Sequence, residues 1–443
     1  MATTKLETGA ISVAIGTGER VASPAGVVTM TSGVTIDGAG SDMIGRVSGT
    51  VLSTDSAAVF MQGGNLDFAI WSGGRVGGDH GMVLVGSHAS FVQNHGAIGG
   101  VTSGITVAES ADMRILNTGQ IEGGSAGIAA QNAANLTLDN HGGIFARDAA
   151  SVALSLDGNG LDLKNAGTVM GAATGLRIGG EGSASVTNSG FIGGVSAVEI
   201  LTNTAITNTG DIVGATAMSA DFAGRLDLVN YGSIVGTIGT AGQDDRIVNR
   251  GEITGDVGLG GGADRIIDRG TLTGRLDLGG GDDTANIVNA LGGRQVQGGA
   301  GNDNIYGSGF EDELRGGQDR DVLQGRDGDD RLIGGAGRDQ QTGGAGADMF
   351  IFQDATDSTA GAVDVIRDFE RGLDVIDLRA VSGDVLAFAG EGEFIGGGVG
   401  SVAYRVLTNG AAVVKVDVDG DGSQEMRMVV KAAPVLDADD FLL

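Results

Sequence analysis

The sequence predicts an all-β fold: a parallel β-helix, or solenoid, that continues into a β-roll and ends in a small β-rich cap. Three observations predict it. A motif Asn-x-Gly-x-aliphatic recurs every 19 to 25 residues, six nonapeptides with an invariant sixth Asp follow it, and short stretches between the motifs alternate apolar with polar residues. Composition agrees. The 443 residues include 85 Gly but only 13 Phe, 3 Tyr and 1 Trp, so the chain turns often and packs small aliphatic side chains. Two Pro are too few for collagen, and a hydrophobic content of 41 % argues against disorder.

Residues 1–40 are expected to form a cap, as the open end of a repeat protein requires. Residues 41–240 form the solenoid. Its motif reads NHGAI from Asn94, NTGQI from Asn117, NHGGI from Asn140, NAGTV from Asn165, NSGFI from Asn188, NTGDI from Asn208 and NYGSI from Asn230. NRGEI from Asn249 and DRGTL from Asp268 continue the series at a spacing of 19 residues, a coil length. Between the motifs, Leu136 and Leu138, Val152, Leu154 and Leu156, and Leu226 and Leu228 alternate at the period of a strand. Such strands are too short to bury an apolar face alone, but coils stacked about 4.8 Å apart share one core. The asparagines are expected at corners, in a hydrogen-bonded ladder along the axis, with the following glycine turning the chain at positive φ.

From Gly298 to Ile351 the period is nine: GGAGNDNIY, GSGFEDELR, GGQDRDVLQ, GRDGDDRLI, GGAGRDQQT and GGAGADMFI. The sixth residue is Asp303, Asp312, Asp321, Asp330, Asp339 and Asp348 in turn. Upstream, in residues 241–297, Asp245, Asp264 and Asp283 hold the same place in TAGQDDRIV, LGGGADRII and LGGGDDTAN, 19 residues apart. These coils are hybrids, with a glycine-rich acidic turn on one edge and an Asn-Gly corner on the other. Since two nonapeptides make one coil, Asp321 and Asp339 should extend the column begun at Asp245. Asp312, Asp330 and Asp348 should continue the edge of Asn230, Asn249 and Asp268, in one uninterrupted solenoid.

The chemistry of these turns points to Ca²⁺, which takes six to eight oxygen ligands, backbone carbonyls included. Carboxylates stacked roughly 5 Å apart would repel by about 3 kcal/mol per pair at an effective dielectric of 20, and a divalent cation reverses the sign. The expected binding residues are the nine aspartates above with the turn glycines Gly299, Gly301, Gly317, Gly328, Gly335, Gly337, Gly344 and Gly346. Phe310, Asp319 and Arg326 stand where glycine is expected and weaken the pattern there. The nonapeptides resemble those of the repeats-in-toxin (RTX) proteins. That resemblance implies a calcium β-roll in which the first six residues of each unit form the metal-binding turn and the last three a strand.

Residues 352–443 carry DVIRDFERGLDVIDL from Asp364 and end in LDADDFLL. Together with the repeats this is similar to the carboxyl-terminal region of the serralysin family. The resemblance runs from residue 298 to the end and implies an uncleaved signal read by a type I secretion apparatus. Within the segment, Asp417, Asp419, Asp421 and Gly422 match the first half of an EF-hand loop, but Met428 stands where Glu is needed, and a hairpin is the expected structure.

Charge and motifs narrow the function. With 27 basic against 56 acidic residues and a net charge of −29, nucleic acid is excluded as a partner. No stretch has the length of a membrane span, so an integral membrane protein is not expected, and the amino terminus lacks the pattern of a cleaved signal. No Cys is present. The four histidines, His80, His88, His95 and His141, form no H-E-x-x-H, so the zinc protease activity of serralysins is not implied. Two readings stand. The first is a secreted structural protein of the cell surface or matrix (adhesin, surface-layer or filament subunit) that folds on calcium after export, self-associates, and has cell-surface polysaccharide as a further partner. The second is a polysaccharide-modifying enzyme like the alginate epimerases and lyases that join a β-helix to RTX modules. Against the second, Tyr231, Tyr306 and Tyr404 are scattered and no aromatic-rich loop interrupts the corners.

Overall fold

The computed structural model describes residues 45–443 except 48, 54–56, 222 and 432–434, together with the backbone of residues 43–44 and of the strands Thr3–Lys5, Val13–Ala14, Arg20–Ser23, Val27–Thr29 and Ile36–Ala39. Beyond those strands, the cap expected over residues 1–40 lies outside the described residues. The chain forms two compact units, residues 1–240 and 241–443. Among the described residues there is no α-helix, and the fold is a parallel β-solenoid.

In the first unit each coil places one strand before its corner Asn and another after the following Gly. The strands Phe91–Asn94, Arg114–Asn117, Thr137–Asn140, Leu161–Asn165, Ser183–Asn188, Asn203–Asn208 and Leu226–Asn230 pair in parallel, with each corner Asn opposite the next. On the other side of the corner the motif's aliphatic residue stacks coil upon coil as Ile98, Ile121, Ile144, Val169, Ile192, Ile212 and Ile234, all buried. Full burial of such a side chain contributes about 1.5–3 kcal/mol, so the stack supplies the core that no coil has alone.

The asparagines form the expected ladder. Nδ2 of Asn94 donates to Oδ1 of Asn117 at 2.8 Å, and the same bond repeats from Asn117 to Asn140, Asn165, Asn188, Asn208 and Asn230 at 2.7–2.9 Å. The role expected of the glycines needs correction. Gly96, Gly119, Gly142, Gly167, Gly190, Gly210 and Gly232 do not have positive φ. They are required because a Cβ on Gly119 would collide with the carbonyl oxygen of Gly96, one coil away, and the same clash recurs up the stack. Close approach of coils, not left-handed backbone, excludes a side chain.

The second unit repeats the plan with shorter coils. One face runs through Arg246–Asn249, Arg265–Asp268, Thr284–Asn286, Asn304–Tyr306, Val322–Asp327, Gln340–Ala345 and Asp364–Ile366. The other runs from Leu276–Gly280 through Gln295–Ala300, Glu313–Asp319, Arg331–Gly337 and Met349–Ile351 to Val375–Asp377. The roll ends in the β-rich cap. Met426–Val430 adds to one face, Phe441–Leu442 adds to the other, and the antiparallel strands Ser401–Val406 and Ala412–Asp417 build outward from Met426–Val430.

Candidate metal centre

The aspartates form two columns in the second unit. In the first, the backbone N–H of each Asp donates to Oδ1 of the next: Asp245 to Asp264, Asp264 to Asp283, Asp283 to Asp303, Asp303 to Asp321, Asp321 to Asp339 and Asp339 to Asp364, at 2.7–2.9 Å. In the second, Asp312 donates to Asp330, Asp330 to Asp348 and Asp348 to Asp374, at 2.8–3.0 Å. All these residues are buried. Sequence spacing therefore assigned the residues to the right columns, but it missed Asp364 and Asp374. Their signal was present, since Asp364-Val365-Ile366 and Asp374-Val375-Ile376 repeat the Asp-x-aliphatic half of a nonapeptide without its glycines.

Each ladder bond uses one carboxylate oxygen. The other, Oδ2, is buried and has no hydrogen-bond partner in Asp264, Asp283, Asp303, Asp321, Asp330, Asp339, Asp348 and Asp364. An ionised carboxylate in that state is costly unless a cation or proton meets it. Burial pushes these carboxyls up, to about 8 in Asp264 and Asp321, about 7 in Asp283, Asp330 and Asp339, about 6 in Asp303 and Asp348, and about 9 in Asp364. Column neighbours add to the effect, as Asp283 does for Asp264.

The glycine-rich turns fit around these oxygens in two ways. Gly299, Gly301, Gly317, Gly328, Gly335, Gly337, Gly344 and Gly346 all have positive φ, a conformation in which glycine carries no steric penalty. The first glycine of each unit is needed for a different reason. A Cβ on Gly298, Gly316, Gly325, Gly334 or Gly343 would collide with Oδ2 of the Asp five residues later. The unpartnered oxygen thus lies over bare backbone. Asp319 and Arg326 keep the positive φ of the glycines they replace, at 74° and 93°.

The unit containing Phe310 departs from the rest. Ser308 donates to Asp312 Oδ2 from both its backbone N–H, at 2.6 Å, and its hydroxyl, at 2.9 Å, while Arg294 N–H donates to Oδ1 at 2.6 Å. Both oxygens of Asp312 have protein donors, so it lacks the free oxygen of Asp330 and Asp348; at the far end of the column Asp374 likewise accepts on Oδ2 from Glu370 N–H at 2.7 Å.

The residues suit a hard, oxygen-seeking divalent cation. Carboxylate oxygens without donors, beside turns rich in carbonyls, are the ligand type Ca²⁺ prefers. The half EF-hand is a different structure. Asp417, Asp419 and Glu425 lie close together, but Asp417 accepts from Gly420 N–H at 2.8 Å and Gly422 N–H at 3.0 Å, and Glu425 accepts from Val418 N–H at 2.8 Å. These carboxylates tie the turn of the expected hairpin. The histidines are spread through the first unit. His80 Nδ1 lies 2.6 Å from Ser103 Oγ, His95 Nδ1 lies 2.7 Å from Thr118 Oγ1, and His141 Nε2 lies 2.9 Å from Asp139.

Two stacked columns of buried carboxylates on glycine turns define the class: a β-roll of the RTX type. Residues 234–443 match the family described as peptidase M10 serralysin C terminal. A solution structure of a subunit of the Azotobacter vinelandii mannuronan C5-epimerase is also similar, at 30 % identity over 32 % of this chain and 77 % of that one, with a TM-score of 0.26. No curated protein matches the chain.

Proposed function

We propose that the protein is a secreted, calcium-binding structural component of the cell surface or extracellular matrix, folded by calcium after export through a type I secretion apparatus. The observation that carries this reading is the row of buried Asp Oδ2 atoms without donors. Eight such oxygens in one unit need a cation, which protons supply at acid pH and divalent cations supply as the pH rises and the carboxyls ionise. Low cytosolic calcium keeps the ligands uncompensated, and millimolar calcium outside the cell stabilises the fold by mass action. Among the described residues no helix is long and apolar enough to cross a membrane.

A stack of coils with short corners has the build of a scaffold. Its repeated surface suits association with further copies, or with cell-surface polysaccharide, more than the gripping of a single sugar. Imaging the purified protein in millimolar calcium tests this. Filaments or lattices support a structural subunit, and monodisperse particles at every concentration rule it out. Alginate or pectin that loses chain length or changes uronate stereochemistry on incubation would favour the enzymatic reading instead.

A further inference from the structure

The second column begins with a residue of opposite charge. Gln295 pairs with Glu313 in the parallel sheet, so Arg294 occupies the slot that Asp312 fills one coil later. Its side chain is almost fully buried, as is that of Asp268 in the preceding coil. Nε and Nη2 donate to Asp268 Oδ2 at 3.1 and 2.9 Å. Nη1 donates to the carbonyls of Gly292 at 2.7 Å and Gly293 at 3.0 Å, and Nη2 to that of Gly270 at 3.2 Å. The guanidinium is thus enclosed by one carboxylate oxygen and three backbone carbonyls from two adjacent coils. Asp268 Oδ1 is already used, accepting from Asn249 Nδ2 at 2.8 Å and Gly270 N–H at 3.1 Å.

That donor set is of the kind a Ca²⁺ site uses, with no nitrogen ligand and one formal negative charge. It lies on the edge where the amide ladder of Asn249 gives way to the carboxylates Asp312, Asp330, Asp348 and Asp374. Asp268 is the first carboxylate of that edge. Unlike Asp330 and Asp348, it has no unpartnered oxygen.

We propose that Arg294 is a built-in cation in a latent divalent-metal cage, so that this edge changes from amides to carboxylates without a bound ion at Asp268. Removing the guanidinium exposes the cage to a divalent cation of hard, oxygen-seeking type. The proposal rests on the calcium reading of the columns. Lys is not an equivalent occupant, because an ammonium cannot reproduce the forked contact with Asp268 and the carbonyls together.

The test is Arg294→Met in the full chain, with bound Ca²⁺ counted by equilibrium dialysis and calorimetry beside the unmodified protein. One additional ion per chain is expected, together with a loss of stability in chelator that millimolar calcium largely restores. Adding Asp268→Asn to the variant should abolish the extra ion. An unchanged ion count, or a stability loss that calcium leaves untouched, overturns the proposal and leaves Arg294 as half of an ordinary buried ion pair. Should the variant fail to fold, a crystal structure of the unmodified protein grown in calcium decides the question: an ion bound to Asp268 overturns the proposal, and ions along the columns with none at Asp268 support it. If the unmodified protein binds no calcium at all, the reading of the columns fails first.

Discussion

At the scale of single residues, the free Oδ2 atoms govern how the second unit responds to protons. The carboxyls of Asp264, Asp283, Asp321, Asp330, Asp339 and Asp364 are raised to between about 7 and about 9 in the metal-free fold. An unfolded Asp titrates near 3.9, so from about pH 4 upward the fold binds more protons than the unfolded chain, and its stability falls as pH rises. Metal binding has the opposite sign, since a ligand must be deprotonated. In chelator, the strand signal in circular dichroism should therefore survive near pH 5 and weaken toward pH 8, while millimolar calcium restores it at pH 8. A chelated protein insensitive to pH over that range contradicts the account. The first glycine of the turn gives a second prediction. Gly316→Ala sets a Cβ against Asp321 Oδ2 and 2.6 Å from the carbonyl oxygen of Gly334, and overpacking of this kind costs about 1–3 kcal/mol. Calcium titration should show weakened binding with the other ions retained. Gln341 predicts a gain. It fills the aliphatic place of its nonapeptide between Leu323 and Ile366, fully buried, with neither amide atom partnered. Gln341→Leu should raise the denaturation midpoint with and without calcium, by the roughly 1–3 kcal/mol that an unsatisfied polar group costs.

At the scale of the element, the coil is held by its corner, and two kinds of corner occur. The Asn corner is complete in itself, since each amide both accepts from and donates to its neighbours along the stack. Asn165→Ala removes the bond it accepts from Asn140 and those it donates to Asn188 and to the Phe191 carbonyl. Asn140 is then left with an amide robbed of its acceptor one coil away. About 1.5–4.5 kcal/mol of destabilisation should follow, at 0.5–1.5 kcal/mol for each of the three lost bonds, and calcium should not offset it in thermal unfolding. The Asp corner is incomplete because its acceptors outnumber its donors. Both corners were legible in the sequence, since a one-dimensional stack turns spatial neighbours into residues at a fixed spacing. Asp245, Asp264, Asp283 and Asp303 could be aligned by counting. What was not legible had no repeat to display it. Asp364 and Asp374 sit after the glycine turns stop, and Arg294 looks like a loop residue until the register sets it opposite Asp312. The glycine of the Asn corner was recognised as necessary but for the wrong reason, because its clash is with a carbonyl one coil away, and a sequence does not display contacts between coils.

At the scale of the whole chain, the two units differ in what satisfies their buried polar groups. In residues 1–240 the corner amides are satisfied by one another, and in residues 241–443 a row of carboxylate oxygens is left for an external cation. Coils interact mainly with their immediate neighbours, so the stability of a solenoid is close to a sum of local terms, and loss of metal should be felt where the ligands are. The net charge of −29 sharpens this. Bound divalent ions reduce the self-repulsion of the folded second unit, and their removal restores it in full. Limited proteolysis of the full chain in chelator at pH 8 should therefore cut within residues 241–443 while leaving a resistant fragment that ends near residue 240. The same digestion in millimolar calcium should spare both units. Calcium-independent resistance of the second unit would mean that protons or the β-rich cap alone stabilise the roll. Equal loss of both units in chelator would mean that the Asn ladder and aliphatic stack cannot sustain their coils alone, and the division between self-sufficient and metal-requiring corners would have to be abandoned.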